Sequence, residues 1–332
     1  MENQTTSATS RINQPDSKTA IRVGLIGCGR VAEFGYLSAF RQARGVVLVG
    51  IADVNPSRCR ALAPNIPSYG SIQSLIQAGG FDALVISVPT RFHLEYARCA
   101  AEAGLPSLVE KPPGVNVQEA SELQALKPAP WIGFNRRFEP SLIKLKHAAL
   151  NAQEFRLRLE LHYRRNAWNP FDMHDDALLD LGPHLIDLAR WLTGSEVRSA
   201  RALSLKEQCA EFELELTRGR ALVACSINRP YRERMEITDM DGRVRASYRR
   251  GGIVSGIMAR LRPQGENPLV GSLVGQLEAF SQAVRCASGG FLASAADGLA
   301  VMSVIETVRE SATRGGALCP VQSQTVSEGE NS

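Results

Sequence analysis

Residues 21–32 read Ile-Arg-Val-Gly-Leu-Ile-Gly-Cys-Gly-Arg-Val-Ala, a short apolar run followed at once by a turn rich in glycine. The run predicts a buried parallel strand, and the residues at 31–44 predict a helix after the turn. In such a unit Gly27 permits the tight turn, Gly29 lets the backbone approach a bound anion, and Ala32 lets the helix pack closely on the strand. The helix N-terminus would favour negative charge. We therefore predict an anion-binding turn between strand and helix.

The next apolar run, Val46–Ala52, ends in Asp53, about 20 residues after Ala32. A carboxylate at this spacing is expected to accept hydrogen bonds from the ribose hydroxyls of a bound dinucleotide. It would repel a 2′-phosphate and so favours NAD, while Arg58 nearby leaves NADP open. The alternative is an ordinary glycine turn with Asp53 capping the helix after Pro56, but the full context favours dinucleotide binding. The residues expected to hold the dinucleotide here are Gly27, Gly29, Arg30, Val31, Asp53 and Arg58.

Strand and helix patterns alternate through the first part of the chain. The predicted strands are Ile21–Ile26, Val46–Ala52, Ala83–Val88, Leu108–Val109 and Trp131–Phe134, and the predicted helices lie near 31–44, 71–78, 91–103 and 116–126. This alternation predicts an α/β Rossmann domain with a doubly wound parallel sheet over residues 21–137.

The pattern changes after about residue 150. Apolar residues at alternate positions from Phe155 to Tyr163 are interleaved with charged and polar ones, which indicates a strand with one wet and one dry face. More strand patterns lie at 212–216, 221–228, 232–238 and 243–248, followed by helical segments near 270–288 and 293–314. We predict an α+β domain over 138–319 whose mainly antiparallel sheet has an open face. The polar stretches 1–20 and 320–332 are expected to be disordered tails.

Composition excludes several classes of protein. The 332 residues carry a formal charge of +4, and 44% are hydrophobic, which is typical of a soluble globular chain. No apolar run approaches the ~20 residues that a membrane helix needs. The basic residues form no long run with stacked aromatics, so no nucleic-acid partner is expected. The seven cysteines contain no C-x-x-C pair, so we expect no disulfide framework, no metal site and a cytoplasmic location.

Three further segments carry groups suited to chemistry. The first, Val109-Glu-Lys-Pro-Pro113, places a lysine at the carboxyl end of a predicted strand, where open α/β sheets bind ligands. The second, Asp180-Leu-Gly-Pro-His-Leu-Ile-Asp187, opens a helix in which Pro183 suits the first position. The third, Gly133-Phe-Asn-Arg-Arg-Phe138, lies at the junction of the two halves and suits hydroxyl-rich or anionic ligands. Taken singly, each also fits a structural role: a surface lysine, a capping aspartate with a core histidine, and inter-domain ion pairs.

Together with the glycine turn and Pro89-Thr-Arg-Phe-His93, these segments occur in the order and spacing of one family. The chain resembles the Gfo/Idh/MocA oxidoreductases over about residues 21–315. The resemblance implies a Rossmann domain joined to an α+β domain whose open sheet often serves oligomerisation, here as a homodimer or homotetramer. Two positions depart from the usual pattern: Pro113 follows Glu-Lys-Pro, and Tyr36 stands where many members have a histidine.

The resemblance also implies roles for individual residues. Lys111, Asp180 and His184 match the catalytic trio. His184 is the expected general base, because an imidazole exchanges protons near neutral pH. Lys111 would hold the substrate oxygen, and Asp180 would position the substrate hydroxyl or relay its proton. Further cofactor-binding residues are expected to be Pro89, Thr90, His93, Glu110 and Lys111. Substrate-side candidates are Asn135, Arg136, Arg164, Trp168 and Asp187.

The expected activity is hydride transfer between NAD, or NADP, and a secondary alcohol or ketone of a sugar, inositol or related polyol. A biosynthetic pathway is one setting for this activity. Alternatives on the same fold are a redox-neutral NAD-dependent glycosidase and an imine reductase. A non-catalytic dinucleotide sensor is a different class of function. The presence of all three catalytic candidates argues against the sensor, which need not keep them.

Overall fold

The computed structural model describes residues 20–150, 154–165, 175–251, 268–286 and 290–322. Of the tails expected at 1–20 and 320–332, residues 1–19 and 323–332 lie outside these ranges. Within them, no helix is both long and apolar enough to cross a membrane.

The first sheet contains seven strands of the described chain, in the order β13-β6-β5-β4-β1-β2-β3. They are β1 (Ile21–Ile26), β2 (Val46–Ala52), β3 (Ser68–Tyr69), β4 (Ala83–Ile86), β5 (Ser107–Glu110), β6 (Trp131–Gly133) and β13 (Ala293–Ser294). All neighbours pair in parallel except β13, which pairs with β6 in the antiparallel sense. The strand order reverses between β1 and β4, so the crevice at their carboxyl ends is the expected ligand site.

Helices cover both faces of this sheet and connect its strands. A π-helical turn at Ala32–Tyr36 runs straight into the first α-helix, and 3₁₀ turns stand at Thr90–Phe92 and Asn135–Phe138. The helices up to residue 150 are α1 (Leu37–Gln42), α2 (Pro56–Leu62), α3 (Ile72–Ala78), α4 (His93–Glu102), α5 (Val117–Ala125) and α6 (Pro140–Leu150). The doubly wound α/β prediction is confirmed, with strand ends shifted by one or two residues.

The second sheet has the order β12-β11-β7-β10-β9-β8-β14. Its strands are β7 (Arg156–Arg164), β8 (Val197–Lys206), β9 (Cys209–Leu216), β10 (Arg220–Ser226), β11 (Asn228–Thr238), β12 (Val244–Gly251) and β14 (Cys319–Pro320). Only the β7–β10 pair is parallel among these strands, so the mainly antiparallel prediction is confirmed. One face packs on α7 (Ala177–Thr193) and α9 (Ala295–Thr313), and the other carries the charged residues of the alternating pattern. Pro320, which was expected to begin the C-terminal tail, pairs with Ser199 in this sheet.

The chain returns to the first sheet after building the second. Helix α8 (Pro268–Cys286) buries Leu273, Leu277 and Phe280 in the same core cluster as β1 and α1, and β13 then extends the first sheet. The single boundary expected at residue 138 therefore does not describe this packing. Sequence patterns mark elements along the chain, but an apolar helix face does not say which sheet will cover it.

Helix α7 begins earlier than its proline suggested. Its N-cap is Asp176, whose side chain accepts from Leu179 N, and it ends at Gly194 in the left-handed conformation. Pro183 therefore lies inside the helix rather than at its first position. This corrects the prediction that the helix begins at Pro183: Asp180 is in its first turn and His184 in the next.

Candidate active site

The glycine turn has the shape that a bound pyrophosphate needs. Gly27 has φ +97°, and a Cβ there would lie 2.2 Å from the Ser87 carbonyl oxygen, so only glycine fits. A Cβ at Gly29 would meet no atom within 4 Å, so the space beside this backbone is open. The helical turns that follow begin there, with Val31 packed against the core. A dinucleotide phosphate fits this open position at a helix N-terminus.

Asp53 and Arg58 brace that turn from the second strand and α2. Asp53 accepts from Cys28 N at 2.7 Å and from Asn55 N at 2.8 Å. Arg58 donates to the Cys28 carbonyl and to Glu33 Oε2. The cap of α2 is Asn55, so the alternative role of Asp53 as helix cap is wrong. Asp53 thus stands beside the turn at the end of β2, where an adenosine ribose would lie.

Lys111 crosses from the first sheet to the helix that covers the second. It follows β5, and its Nζ donates to Asp180 Oδ1 at 2.9 Å and to the Asp180 carbonyl oxygen at 2.7 Å. Two acceptors on one residue hold the ammonium group in a defined place. Residues 69 positions apart in sequence therefore meet at the carboxyl edge of the parallel sheet.

Asp180 is surrounded by donors. Besides Lys111, it receives hydrogen bonds on Oδ2 from Tyr163 and from Arg165, the latter at 2.9 Å. Burial raises the pKa of this carboxyl, but Lys111 and the hydrogen bonds of Tyr163 and Arg165 outweigh burial and hold it well below its usual range. Asp180 is therefore a carboxylate at neutral pH, bound on both oxygens by the side chains around it.

His184 lies one helical turn beyond Asp180, on the same face of α7. Burial lowers its pKa well below the ordinary value of 6.5, and the positive charges of Lys111 and Arg136 lower it further. Its Nδ1 is buried and has no hydrogen-bond partner in the described structure, and its ring lies 6.4 Å from the ring of Phe134. His184 is thus a neutral imidazole at pH 7, the protonation state that a general base requires.

His93 holds two loops together. Its Nδ1 lies 2.7 Å from the Pro112 carbonyl oxygen and its Nε2 lies 2.9 Å from the Val88 carbonyl oxygen, with the side chain fully buried. Burial lowers the pKa of His93, so the ring is neutral and donates its single N–H to one of these two oxygens. Its expected part in cofactor binding stays a prediction. The side chain fastens the loop after Lys111 to the end of β4.

The remaining cofactor-side candidates lie along the same edge. Pro89 is exposed at the start of the 3₁₀ turn after β4, and Thr90 donates to Asp175 Oδ2 at 2.9 Å. Glu110, at the end of β5, is buried and accepts from Lys111 N at 3.2 Å. Arg30 forms an ion pair with Glu33 at 3.5 Å.

Two of the substrate-side candidates face elsewhere. Asp187 is fully buried, and its two carboxylate oxygens accept from Arg137 Nε at 3.2 and 2.9 Å. Arg164 is exposed at the end of β7, on the side opposite Tyr163. We therefore remove both residues from the expected substrate contacts. Asp187 is engaged in an internal ion pair with Arg137, and Arg164 lies on the exposed face of β7.

The other candidates are tied to the C-terminal elements or lie outside the described residues. Asn135 donates to Ser272 of α8 at 2.8 Å. Arg136 is ion-paired with the buried Glu233 of β11 and remains 23% exposed. Trp168 falls in the part of the chain that the structure does not describe.

Tyr163, Arg165 and Glu233 are residues of this site that the sequence interpretation missed. The sequence pattern could have indicated Tyr163 and Arg165, because the alternation that places Tyr163 on the buried face of β7 places Arg165 on the same face. Glu233 gave no such signal, because its partner Arg136 lies 97 positions away. No group of three or more potential metal ligands occurs among the described residues.

Residues 21–128 match a family model described as "Oxidoreductase family, NAD-binding Rossmann fold". Over these residues the chain belongs to the Gfo/Idh/MocA family. The chain is 30% identical to the rhizopine catabolism protein MocA of Rhizobium meliloti, over 57% of this chain and 62% of that protein. It is also 30% identical to inositol 2-dehydrogenase 2 of Saccharopolyspora erythraea, over 55% of this chain and 56% of the relative.

The matches thus span less than two thirds of the length of these curated relatives. A solved structure of Lactobacillus casei myo-inositol dehydrogenase, in complex with NAD(H) and myo-inositol, superposes with a TM-score of 0.73. The identity is 15%, and the match covers 92% of this chain and 98% of that one. This likeness extends the shared fold over both domains.

Proposed function

We propose that the protein is an NAD(P)-dependent oxidoreductase that interconverts a secondary alcohol and a ketone on a sugar, inositol or related polyol. The observation that carries this proposal is the contact of Lys111 with Asp180 beside a neutral, buried His184, at the edge that also holds the glycine turn. An ammonium donor and an imidazole base on one side of a nucleotide crevice are the groups that alcohol oxidation requires.

Each residue has a distinct task in this reaction. Bound NAD supplies the hydride acceptor at C4 of its nicotinamide. Lys111 donates a hydrogen bond to the reacting oxygen and stabilises negative charge that develops there. His184 accepts the hydroxyl proton and returns it in the reverse direction. Asp180 keeps the ammonium group in place, with Tyr163 and Arg165 fixing the carboxylate in turn.

NAD is the cofactor that the binding edge favours. Asp53 presents a carboxylate beside the glycine turn, and a carboxylate there accepts from ribose hydroxyls but repels a 2′-phosphate. Arg58 is directed to the Cys28 carbonyl and Glu33. Because the Arg58 guanidinium is engaged by these two partners, NADP is the second choice.

A neutral, hydroxyl-rich substrate suits the pocket better than an anionic one. Arg136 lies close enough to His184 to lower its pKa, but its charge is compensated by the buried Glu233. The names of the relatives, which include inositol dehydrogenases, support the same class. We also propose that the open face of the second sheet joins copies of the chain into a homodimer or homotetramer.

The test is a panel of inositols, sugars and polyols, each assayed with NAD and with NADP. We expect nicotinamide reduction with at least one polyol and a preference for NAD. Product analysis accompanies each assay, because a redox-neutral glycosidase would release a sugar without net reduction. Tight NAD binding with neither reduction nor product across the panel would contradict the proposal and favour a sensor.

A further inference from the structure

A buried chain of hydrogen bonds links α8 to the loop that carries Lys111. Tyr36 donates its hydroxyl proton to Glu110 Oε1 at 2.6 Å, and Gln276 Nε2 donates to the Tyr36 oxygen at 3.1 Å. The other Glu110 oxygen accepts from Lys111 N at 3.2 Å. Four residues from three parts of the fold thus meet behind the crevice.

When Glu110 is ionised, the donors and acceptors in this chain have one consistent assignment. A tyrosine hydroxyl has a single proton, which goes to the carboxylate, so Gln276 must offer its N–H to the tyrosine oxygen. Gln276 Oε1 is then left buried without a partner in the described structure. Glu110 is held on both oxygens, and each oxygen retains a lone-pair direction for another donor.

Local structure brings Tyr36 to this place. The π-helical turn at Ala32–Tyr36 widens the helix by one residue per turn, and such turns are frequent at functional sites. Gly35 allows the close approach of α8, since a Cβ there would lie 2.5 Å from Leu273 Cδ1. Tyr36 is consequently fully buried, with its hydroxyl directed at the carboxyl end of β5.

We propose that Tyr36 and Gln276 are positioning residues, which hold the Glu110 carboxylate in one orientation beside Lys111 for cofactor binding. Neither residue needs to touch substrate or cofactor. The hydrogen bond from Tyr36 fixes one carboxylate oxygen, Gln276 fixes the tyrosine, and the second oxygen fixes the backbone of Lys111. This inference rests on the proposed function, because it takes the crevice to be a dinucleotide site.

The arrangement has a consequence for charge. Burial raises the pKa of Glu110 above its ordinary value, and the Tyr36 hydrogen bond and the charge of Lys111 offset only part of that rise. Tyr36 and Lys111 are the titratable neighbours that act on this carboxyl within the described chain. Removing the tyrosine hydroxyl removes one of the effects that lower the Glu110 pKa, so Glu110 takes up its proton at a higher pH.

The experiment measures NADH affinity by fluorescence as a function of pH, so that no substrate is needed. The variants are Tyr36→Phe, Gln276→Leu and Glu110→Gln. Tyr248→Phe is the matched control, because its buried hydroxyl on β12 of the second sheet has no hydrogen-bond partner in the described structure. We expect wild-type NADH binding to weaken in acid as Glu110 takes up a proton. The midpoint of this loss should move up by about one pH unit in Tyr36→Phe. Affinity at neutral pH should fall by about tenfold.

The outcomes separate the two proposals. Gln276→Leu should move the midpoint in the same direction but less far, since it keeps the tyrosine hydroxyl, and it serves as the test if Tyr36→Phe does not fold. Glu110→Gln should lose the acidic transition. Failure of the wild type to bind either reduced nicotinamide dinucleotide would overturn the proposed function. Wild-type binding with an unchanged midpoint in Tyr36→Phe and Gln276→Leu, or with the transition intact in Glu110→Gln, would overturn this inference alone.

Discussion

Lys111 Nζ lies 2.9 Å from Asp180 Oδ1 and donates at the same time to the carbonyl oxygen of Asp180. The pair joins the end of a parallel strand to the first turn of a helix that belongs to the other sheet. Because Tyr163 and Arg165 occupy the second carboxylate oxygen, the carboxylate keeps a positive partner even when the lysine is removed. The lysine can therefore be tested without leaving a buried charge unpaired.

Replacing Lys111 by Met should lower kcat by about 10²–10³-fold, because the reacting oxygen loses its charged donor. NADH affinity should be nearly unchanged at a pH above the range in which Glu110 takes up its proton. The measurements are initial rates with the best polyol and fluorescence titration with NADH. Lys144→Met, on an exposed position of α6, is the matched control. A Lys111 variant that turns over at the wild-type rate would exclude the lysine from the reaction.

Replacing Asp53 by Ser should weaken NAD binding by about tenfold, since the turn loses the acceptor for Cys28 N as well as the ribose contact. NADP binding should weaken less or improve, because the repulsion of its 2′-phosphate is removed. The check is the ratio of the two dissociation constants. Asp82→Ser, at the opposite edge of the sheet, should leave that ratio alone. An unmoved ratio in Asp53→Ser would show that this carboxylate does not select the cofactor.

His184 should make the protein less stable in mild acid. Its folded pKa lies well below 6.5, so between those pH values the unfolded chain binds a proton that the folded chain does not. The contribution is fully present above pH 6.5 and is lost as the pH falls toward the folded pKa, by at most about 1.4 kcal/mol per pH unit. Urea unfolding of wild type and His184→Gln at several pH values measures it. His93 and His162, which are shifted in the same direction, remain in both proteins as an internal reference. Equal slopes would mean that His184 is not held neutral.

Replacing Asp187 by Asn should lower the free energy of unfolding by about 1–3 kcal/mol, because Arg137 loses its fully buried carboxylate partner and keeps only the weaker ion pair with Asp297 at 3.5 Å. KM for the polyol should stay close to wild type, since the carboxylate faces the protein interior. Glu122→Gln, which breaks the exposed ion pair with Arg98, is the comparison and should cost less than about 1 kcal/mol. A large rise in KM with unchanged stability would return Asp187 to the substrate pocket.

Local signals were sufficient for much of the fold. The apolar runs around Gly27 and Asp53 are continuous because both faces of those strands are covered, and the alternation from Phe155 to Tyr163 arises because one face of β7 meets water. The start of α7 was harder to predict, because Pro183 is tolerated inside the helix and the N-cap is Asp176. The short strands β3, β13 and β14 have two residues each and leave no pattern to read.

Local sequence patterns were enough to predict the glycine turn, the order of strands and helices, and the chemical types at 111, 180 and 184. These depend on residues close together along the chain, where glycine, proline and hydrophobic period act directly on the backbone. The packing of the two sheets, by contrast, selected Arg165 rather than Arg164 as the partner of Asp180. It also paired Glu233 with Arg136 and brought Tyr36 and Gln276 to Glu110. Such contacts join residues far apart in sequence, and their partners are selected by how the two sheets and α8 pack, which no local pattern records.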